Sequence, residues 1–512
     1  LGIVVVSNRV ARAKADEPMT GGLAAALLPA VTESGAIWVG ASGRTRDACG
    51  KEPLLEVESL GKGALATLDL PTEHYRGYYE GFANSALWPA LHSRPDLIAT
   101  SPQDYGSYRE VNGHMARALL RFCRADATLW VHDYHFLPLG AELRKLGVSL
   151  PIGFFLHTPM PGRDAMVAVP HHRELIEAML AYDLIGFQTM DSQRNFESYL
   201  RRELGLTAIG AALPGATLTG TTAAGAAVTA STGATSVRSR HGETRLGTFP
   251  ITIDTELFAS RATKAAARPE VSRLRSSLQG GKLVIGVDRV DYSKGIANRL
   301  RGFGHLLETE PTLRRNVTLI QVAVPSRGDI PAYKALKTEI TGLVSDVNGR
   351  FGEPDWTPIR YLAKGYAQTT LAGFYRTAHV GLVTPFADGM NLVAKEYVAA
   401  QNPFDPGVLV LSEFAGAARE LDAALLVNPH DTAAIGAAIG TALRMSLDER
   451  IARWQAMMKV LRATSVQLWF ADFVRTLDDS AYMALPVVSQ VPTVPAVGSR
   501  GAEAPVVRFE RH

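Results

Sequence analysis

Four short stretches carry residues whose types and spacing suit phosphate and sugar chemistry. Thr384 to Gln401 reads Thr-Pro-Phe-Ala-Asp-Gly-Met-Asn-Leu-Val-Ala-Lys-Glu-Tyr-Val-Ala-Ala-Gln, with a short apolar run, Val380 to Val383, before it and helix formers from Leu392 to Ala400. The pattern predicts strand, tight loop, helix. Such a loop, Asp388-Gly389-Met390-Asn391, ends at a helix N-terminus, where free backbone N–H groups and the helix dipole favour an anion. Asp388 and Glu396 would repel a bare phosphate. Sugar hydroxyls would donate to both carboxylates, so a phosphorylated sugar or a sugar nucleotide meets both demands. The alternative is that Asp388 merely caps the helix and Glu396 is solvated.

A second stretch, Asp288-Arg289-Val290-Asp291-Tyr292-Ser293-Lys294-Gly295, follows the apolar run Leu283 to Val287 and precedes a helix reaching about Leu307. Arg289 and Lys294 beside a helix N-terminus suit a diphosphate, since hydrogen bonds to charged groups contribute roughly 1.5 to 3 kcal/mol each. Pairing of both cations with Asp288 and Asp291 is the rival reading. In the third stretch, Ile3 to Val6 runs into Ser7-Asn8-Arg9, and Gly21-Gly22 then opens an Ala/Leu-rich helix. Glycine there lets a ligand approach the backbone, although tight-turn chemistry explains a Gly-Gly pair equally well. Arg327 ends a fourth, after Val317 to Val324.

The elements that must position these residues are parallel strands. Thr128 to His135 carries His132, Asp133 and His135 at its carboxyl end, Ile152 to His157 ends in His157, and Leu184 to Gln188 ends in Gln188. Ligands of open parallel sheets bind outside the carboxyl ends of strands, so the recurrence outweighs any one histidine. Tyr79 and Trp88 suit either a core or a sugar platform. Strands and helices alternate throughout, which predicts a doubly wound α/β architecture. Helices are expected at about 105–123, 432–446 and 448–482. The 512 residues exceed one core and suit two Rossmann-like domains, at 1–255 and 256–484. The Ala/Gly/Thr/Ser-rich stretch 207–239 is expected as a mobile surface insertion, and 485–512 as a disordered tail.

The net charge of +3 argues against a nucleic-acid partner. Two cysteines, Cys49 and Cys123, lie outside any metal-ligand spacing, so no structural metal and a reducing compartment are expected. No run approaches the roughly 20 apolar residues of a membrane span, which leads to the expectation of a soluble, cytoplasmic protein without a signal segment. Neither GxGxxG nor a Walker A pattern occurs, so nicotinamide and P-loop readings lose their main support.

Together these motifs resemble the trehalose-6-phosphate synthase family, retaining glycosyltransferases of the GT-B architecture with the active site in the cleft between two domains. The resemblance rests on Ser7-Asn8-Arg9, Gly21-Gly22-Leu23, Asn84 to His92, Val131 to His135, Ile152 to His157, Asp291 to Gly295, Ser326 to Asp329 and Asp388 to Gln401. It implies that Arg289 and Lys294 bind the donor diphosphate, with Gly22 as the glycine turn. Asp388, Gly389, Met390, Asn391 and Leu392 would hold the donor sugar and phosphate, Glu396 the ribose, and His157 the transferred glucose. Arg9 and Arg327 would clamp the phosphate of glucose 6-phosphate, with Tyr79, Trp88 and Asp133 around its sugar. Arg289, Lys294, His157 and Asp133 are the implied catalytic set.

The implied reaction moves glucose from a nucleotide-glucose, most readily UDP-glucose, to glucose 6-phosphate with retention. It requires no metal or other cofactor. A homodimer or homotetramer is in keeping with the family, and a separate phosphatase would act on the product. Ala41 and Ala387 stand where the family commonly has tryptophan and arginine. Transfer to another phosphorylated acceptor, such as glycerol 3-phosphate, and a catalytically silent sugar-phosphate sensor therefore stand beside the synthase reading.

Overall fold

The computed structural model describes residues 2–10, 22–47, 53–210, 217–221, 227–231 and 235–477. Gly21, Cys49 and the expected tail 485–512 lie outside the described residues, as do the segments 211–216, 222–226 and 232–234 of the expected insertion.

Two sheets form the frame. The strands of the first are β1 (Gly2–Arg9), β2 (Ile37–Arg46), β3 (Leu55–Leu60), β4 (Gly63–Pro71), β5 (Ala127–His132), β6 (Ile152–Leu156), β7 (Leu184–Phe187) and β8 (Ile209–Gly210). A hairpin of β9 (Thr217–Thr221) and β10 (Ala227–Ser231) stands apart, and β11 (Thr235–Ser239) and β12 (Gly242–Thr248) complete the sheet. Its order is β3-β4-β2-β1-β5-β6-β7-β12-β11-β8. The strands from β4 to β12 run parallel, and β3, β11 and β8 add antiparallel edges. The ends of the expected insertion are thus strands of this sheet. Alternation across Thr235–Ser239 pairs them with β12 despite a composition poor in large apolar residues.

The second sheet is wholly parallel. It contains β13 (Lys282–Arg289), β14 (Val317–Val324), β15 (Ile359–Leu362), β16 (Val380–Val383), β17 (Val408–Ser412) and β18 (Leu425–Val427), in the order β15-β14-β13-β16-β17-β18. Its central strands are buried on both faces, so they read as continuous Val/Leu/Ile runs. The doubly wound α/β architecture with two Rossmann-like sheets is as expected.

Strand order locates the crevices. In the first sheet the chain leaves β1 for β2 on one side and returns with β5 on the other. In the second, β14 flanks β13 on one side and β16 on the other. Loops diverge at such switch points and leave a cavity at the strands' carboxyl ends. Those ends carry Ser7–Arg9 and Asp133 in one sheet, and Arg289 and residues 384–391 in the other.

Helix limits follow local chemistry. The helix expected from Tyr105 begins at Pro102, because Ser101 and Asp104 form a reciprocal capping box. The single helix expected over 448–482 is two, Leu447–Arg462 and Val466–Leu477, parted at residues 463–465. Ser465 accepts the Leu468 N–H through its hydroxyl, the start signal that ends the first run. The break turns the last helix back onto the first sheet. There Phe473 stacks on Trp130 at 4.4 Å and fills the space left by Gly153 and Gly186, whose added Cβ atoms would strike its ring.

Arg76–Leu87 winds as a wide π-helix before the short α-turn Trp88–Leu91. Asn84 and Ser85 donate to the carbonyls of Tyr79 and Glu80, five residues back. Wide turns of this kind cluster at functional sites, and this one carries Tyr79 and leads into Trp88.

Candidate active site

The site grows from Trp88. It is 5% exposed and has two cations at its ring, the Arg327 guanidinium 4.0 Å and the Arg289 guanidinium 5.7 Å from the centroid. Its indole N–H donates to Asp291 at 3.3 Å. A residue between β4 and β5 of the first sheet thereby touches three residues at the strand ends of the second, and its aromatic ring favours both positive charges.

On the second sheet's side, Lys294 Nζ meets Asp388 Oδ2 at 2.5 Å, and Asn391 Nδ2 donates to the same oxygen at 3.0 Å. Asn391 has φ +78 and caps the helix Leu392–Ala400 by accepting the Ala394 N–H. Burial pushes the Asp388 carboxyl up, but the Lys294 charge and the bonds from Lys294 and Asn391 hold it below the ordinary range. Arg289 makes no hydrogen bond or ion pair among the described residues and is exposed, over the ring of Trp88. The rival pairing of Arg289 and Lys294 with Asp288 and Asp291 does not form. Asp288 bonds instead to the fully buried Arg299 at 2.6 Å, and Asp291 to Arg327 at 3.3 Å.

Gly389 lies against the first sheet's chain, since a Cβ there would run into the His157 carbonyl oxygen. Met390 is buried and Leu392 half-buried. Glu396 sits one turn further along the helix. It accepts from Gln368 at 3.1 Å, whose own oxygen is held by Arg261 at 2.6 Å. Burial pushes the Glu396 carboxyl up to about 7. No bond joins Glu396 to the Lys294–Asp388 pair. Gly22 opens the helix Gly22–Ser34.

Beside Trp88, Arg327 is 6% exposed in its side chain and bonds the hydroxyls of Tyr333 (2.6 Å) and Tyr134 (3.1 Å) as well as Asp291. Burial pushes Asp291 up, yet Arg327 and Arg289 bring it down to about 2. Arg9 is exposed, bonds the Tyr75 hydroxyl at 2.9 Å and lies over the Tyr79 ring at 5.7 Å. Tyr75, Tyr79 and His135 stack in sequence, at 5.6 and 6.0 Å. Arg9 and Arg327 share no bond. Both act on His135, whose imidazole is held well below its ordinary range by burial and then by those two charges.

Asp133 joins the two sides. It follows β5 at φ +75, a strained conformation for a residue other than glycine, and accepts the His157 N–H at 3.2 Å. Burial pushes its carboxyl up to about 6 against the N–H groups of Tyr134, His157 and Thr158. Arg327 has φ +48, so three site residues, Asp133, Arg327 and Asn391, occupy the left-handed region. Such strain persists where surrounding structure over-determines it. Ala41 is buried, in register with Arg9, and Ala387 is half-buried before Asp388. Among the described residues no group of three or more His, Cys, Asp or Glu side chains is placed to hold a metal ion, and no helix is long and apolar enough to cross a membrane.

Arg299, Tyr75 and Tyr333 were not legible as site residues, and Gln188 was legible only as a polar strand end. Arg299 had one signal, an arginine within the apolar stripe Ile296, Leu300, Phe303 of a helix. The others reach the site only through folding.

Two parallel sheets whose switch points face one another across cations, carboxylates and an aromatic platform define a glycosyltransferase of the GT-B class. The sequence model described as glycosyltransferase family 20 matches residues 4–479, and the chain belongs to that family. A trehalose-6-phosphate synthase of Sinorhizobium fredii is 42% identical over 482 residues, 94% of this chain and 98% of that one. Among solved structures, an alpha,alpha-trehalose-phosphate synthase (UDP-forming) from Burkholderia xenovorans in complex with glucose-6-phosphate superposes with a TM-score of 0.86. It is 42% identical, covering 93% of this chain and 99% of that one. An E. coli structure bound with UDP-2-fluoro glucose gives a TM-score of 0.83 at 37% identity, over 93% and 99% of the two chains.

Proposed function

We propose that the protein transfers glucose from UDP-glucose to glucose 6-phosphate with retention, giving α,α-trehalose 6-phosphate and UDP. The observation that carries this reading is the gathering of Arg289 and Arg327 at the ring of Trp88. One cation then serves the leaving diphosphate and the other the acceptor phosphate, with the indole holding both in place. The glucose 6-phosphate and UDP-2-fluoro glucose held by the two similar structures support the same pair of ligands. On this reading residues 1–255 bind the acceptor and 256–484 the nucleotide sugar.

In the proposed reaction the acceptor's anomeric hydroxyl attacks the donor's anomeric carbon on the face from which UDP departs. The bond to UDP breaks as the new C–O bond forms, and a departing phosphate oxygen takes the hydroxyl proton. Arg289 and Lys294 stabilise charge growing on the diphosphate. Arg9 and Arg327, with Tyr79, hold the acceptor by its phosphate, and Asp133 and His157 orient the reacting sugars. Glu396 takes the ribose hydroxyls, and the N–H groups around Gly22, Gly389, Met390, Asn391 and Leu392 take the remaining donor oxygens.

Nucleotide release is to be measured with UDP-, GDP- and ADP-glucose, each with glucose 6-phosphate, with glycerol 3-phosphate and without acceptor. Release that depends on glucose 6-phosphate and is fastest with UDP-glucose is the expected result. Release only with another acceptor, or intact binding without release, would overturn it.

A further inference from the structure

The imidazole of His157 has both ring nitrogens engaged by protein. Gln188 Nε2 lies 3.2 Å from His157 Nδ1, and His132 Nδ1 lies 3.0 Å from His157 Nε2. Gln188 is 2% exposed, and its Oε1 lies 2.9 Å from the backbone nitrogen of Ile251. A peptide N–H can only donate, so the Gln188 carbonyl oxygen must face it and the amide NH2 must face His157. Nδ1 of His157 is then an acceptor, and its single ring proton sits on Nε2, donated to His132 Nδ1. The proton of His132 is left on Nε2, which is buried without a partner. Both rings are neutral, since burial lowers His157 to about 3 and His132 well below its ordinary range.

We infer that Gln188 and His132 are positioning residues that fix His157 as the Nε2–H tautomer, so that it meets a sugar hydroxyl as a hydrogen-bond donor. The inference rests on the proposed function for the identity of the sugar, but the tautomer does not. The incoming hydroxyl competes with His132 for that one proton, and the Ile251 peptide, through Gln188, prevents it from moving to Nδ1.

The test is 15N NMR of the ligand-free, histidine-labelled full chain, with His157 assigned by the signal lost in His157→Asn. Wild type is expected to show a bare Nδ1 and a protonated Nε2 at His157. Gln188→Glu, whose carboxylate only accepts, is expected to place a proton on Nδ1. With UDP-glucose as donor, the same variant is expected to lower kcat/KM for the donor by about tenfold, the value of one hydrogen bond, with KM for the acceptor unchanged. Gln188→Leu should leave a mixture of tautomers. A proton on Nδ1 in wild type, or an unchanged tautomer in Gln188→Glu, overturns the inference. The expected tautomers in a protein that turns over no nucleotide sugar would sink the proposed function instead.

Discussion

At the scale of single residues, charge pairing divides the cations by task. Lys294 and Arg327 are already paired, with Asp388 and Asp291, whereas Arg289 makes no direct ion pair, lies over the face of Trp88 and acts on Asp291 and Asp133 only through space. A guanidinium with no carboxylate in bonding range is well placed to receive a phosphate. Arg289→Ala is expected to lower kcat by about 10² to 10³, typical of deleting one electrostatic contact to the transition state; near-wild-type turnover would remove it from the mechanism. On the proposed reading Glu396 carries the pH dependence. Burial pushes its carboxyl up to about 7, and ribose hydroxyls would donate to its ionised form. UDP-glucose affinity, measured calorimetrically, is therefore expected to fall by up to about tenfold per unit as pH drops below 7. Glu396→Gln should flatten that dependence. Because burial raises the folded pKa, Glu396 favours the fold at low pH and loses that contribution as pH rises through 7. The same variant should therefore gain melting temperature at pH 8 relative to wild type, and not at pH 5.

At the scale of elements, the last helix decides how the chain is tied together. Val466–Leu477 packs Trp469, Phe470 and Phe473 around Trp130 of the first sheet, although it follows every strand of the second. Phe473 is fully buried. Phe473→Ala opens a cavity over Gly153 and Gly186 and is expected to cost about 3 to 5 kcal/mol in a urea denaturation series. A loss confined to the second sheet's signals would contradict this packing.

At the scale of the molecule, the two sheets are tied by the last helix and by a set of contacts between their loops. Trp88 touches Asp291, Arg327 touches the Tyr134 hydroxyl, Arg419 pairs with Asp191 at 2.8 Å, and Gly389 lies on His157. One residue serves both sides, because the Ile251 N–H holds Gln188 and the Ile251 carbonyl accepts from Lys395, next to Glu396. Gly389→Ala would force the donor loop off the first sheet. It is expected to reduce kcat/KM by about 10- to 100-fold, the cost of overpacking a close contact. The ligand-free melting temperature should change little, because the sheets can part. A large drop in melting temperature with unchanged kcat/KM would show that the contact serves only folding.

The sequence alone determined the elements and the chemistry they carry. Continuous apolar runs such as Leu283 to Val287 mark strands buried on both faces, and the polar residues that follow them must then lie at carboxyl ends. Arg289, Lys294, Asp388 and Arg327 were legible on that ground, because a charge just beyond a buried strand has nowhere else to go. Only the tertiary structure decided the pairings. Each carboxylate had several cations within sequence reach, and distances in the folded cleft gave Asp288 to Arg299 and Asp291 to Arg327. The break at residues 463–465, the return of the last helix to the first sheet and the Gln188–His157–His132 chain were equally hidden. Each depends on atoms brought together from segments dozens to hundreds of residues apart, and local propensity carries no information at that distance.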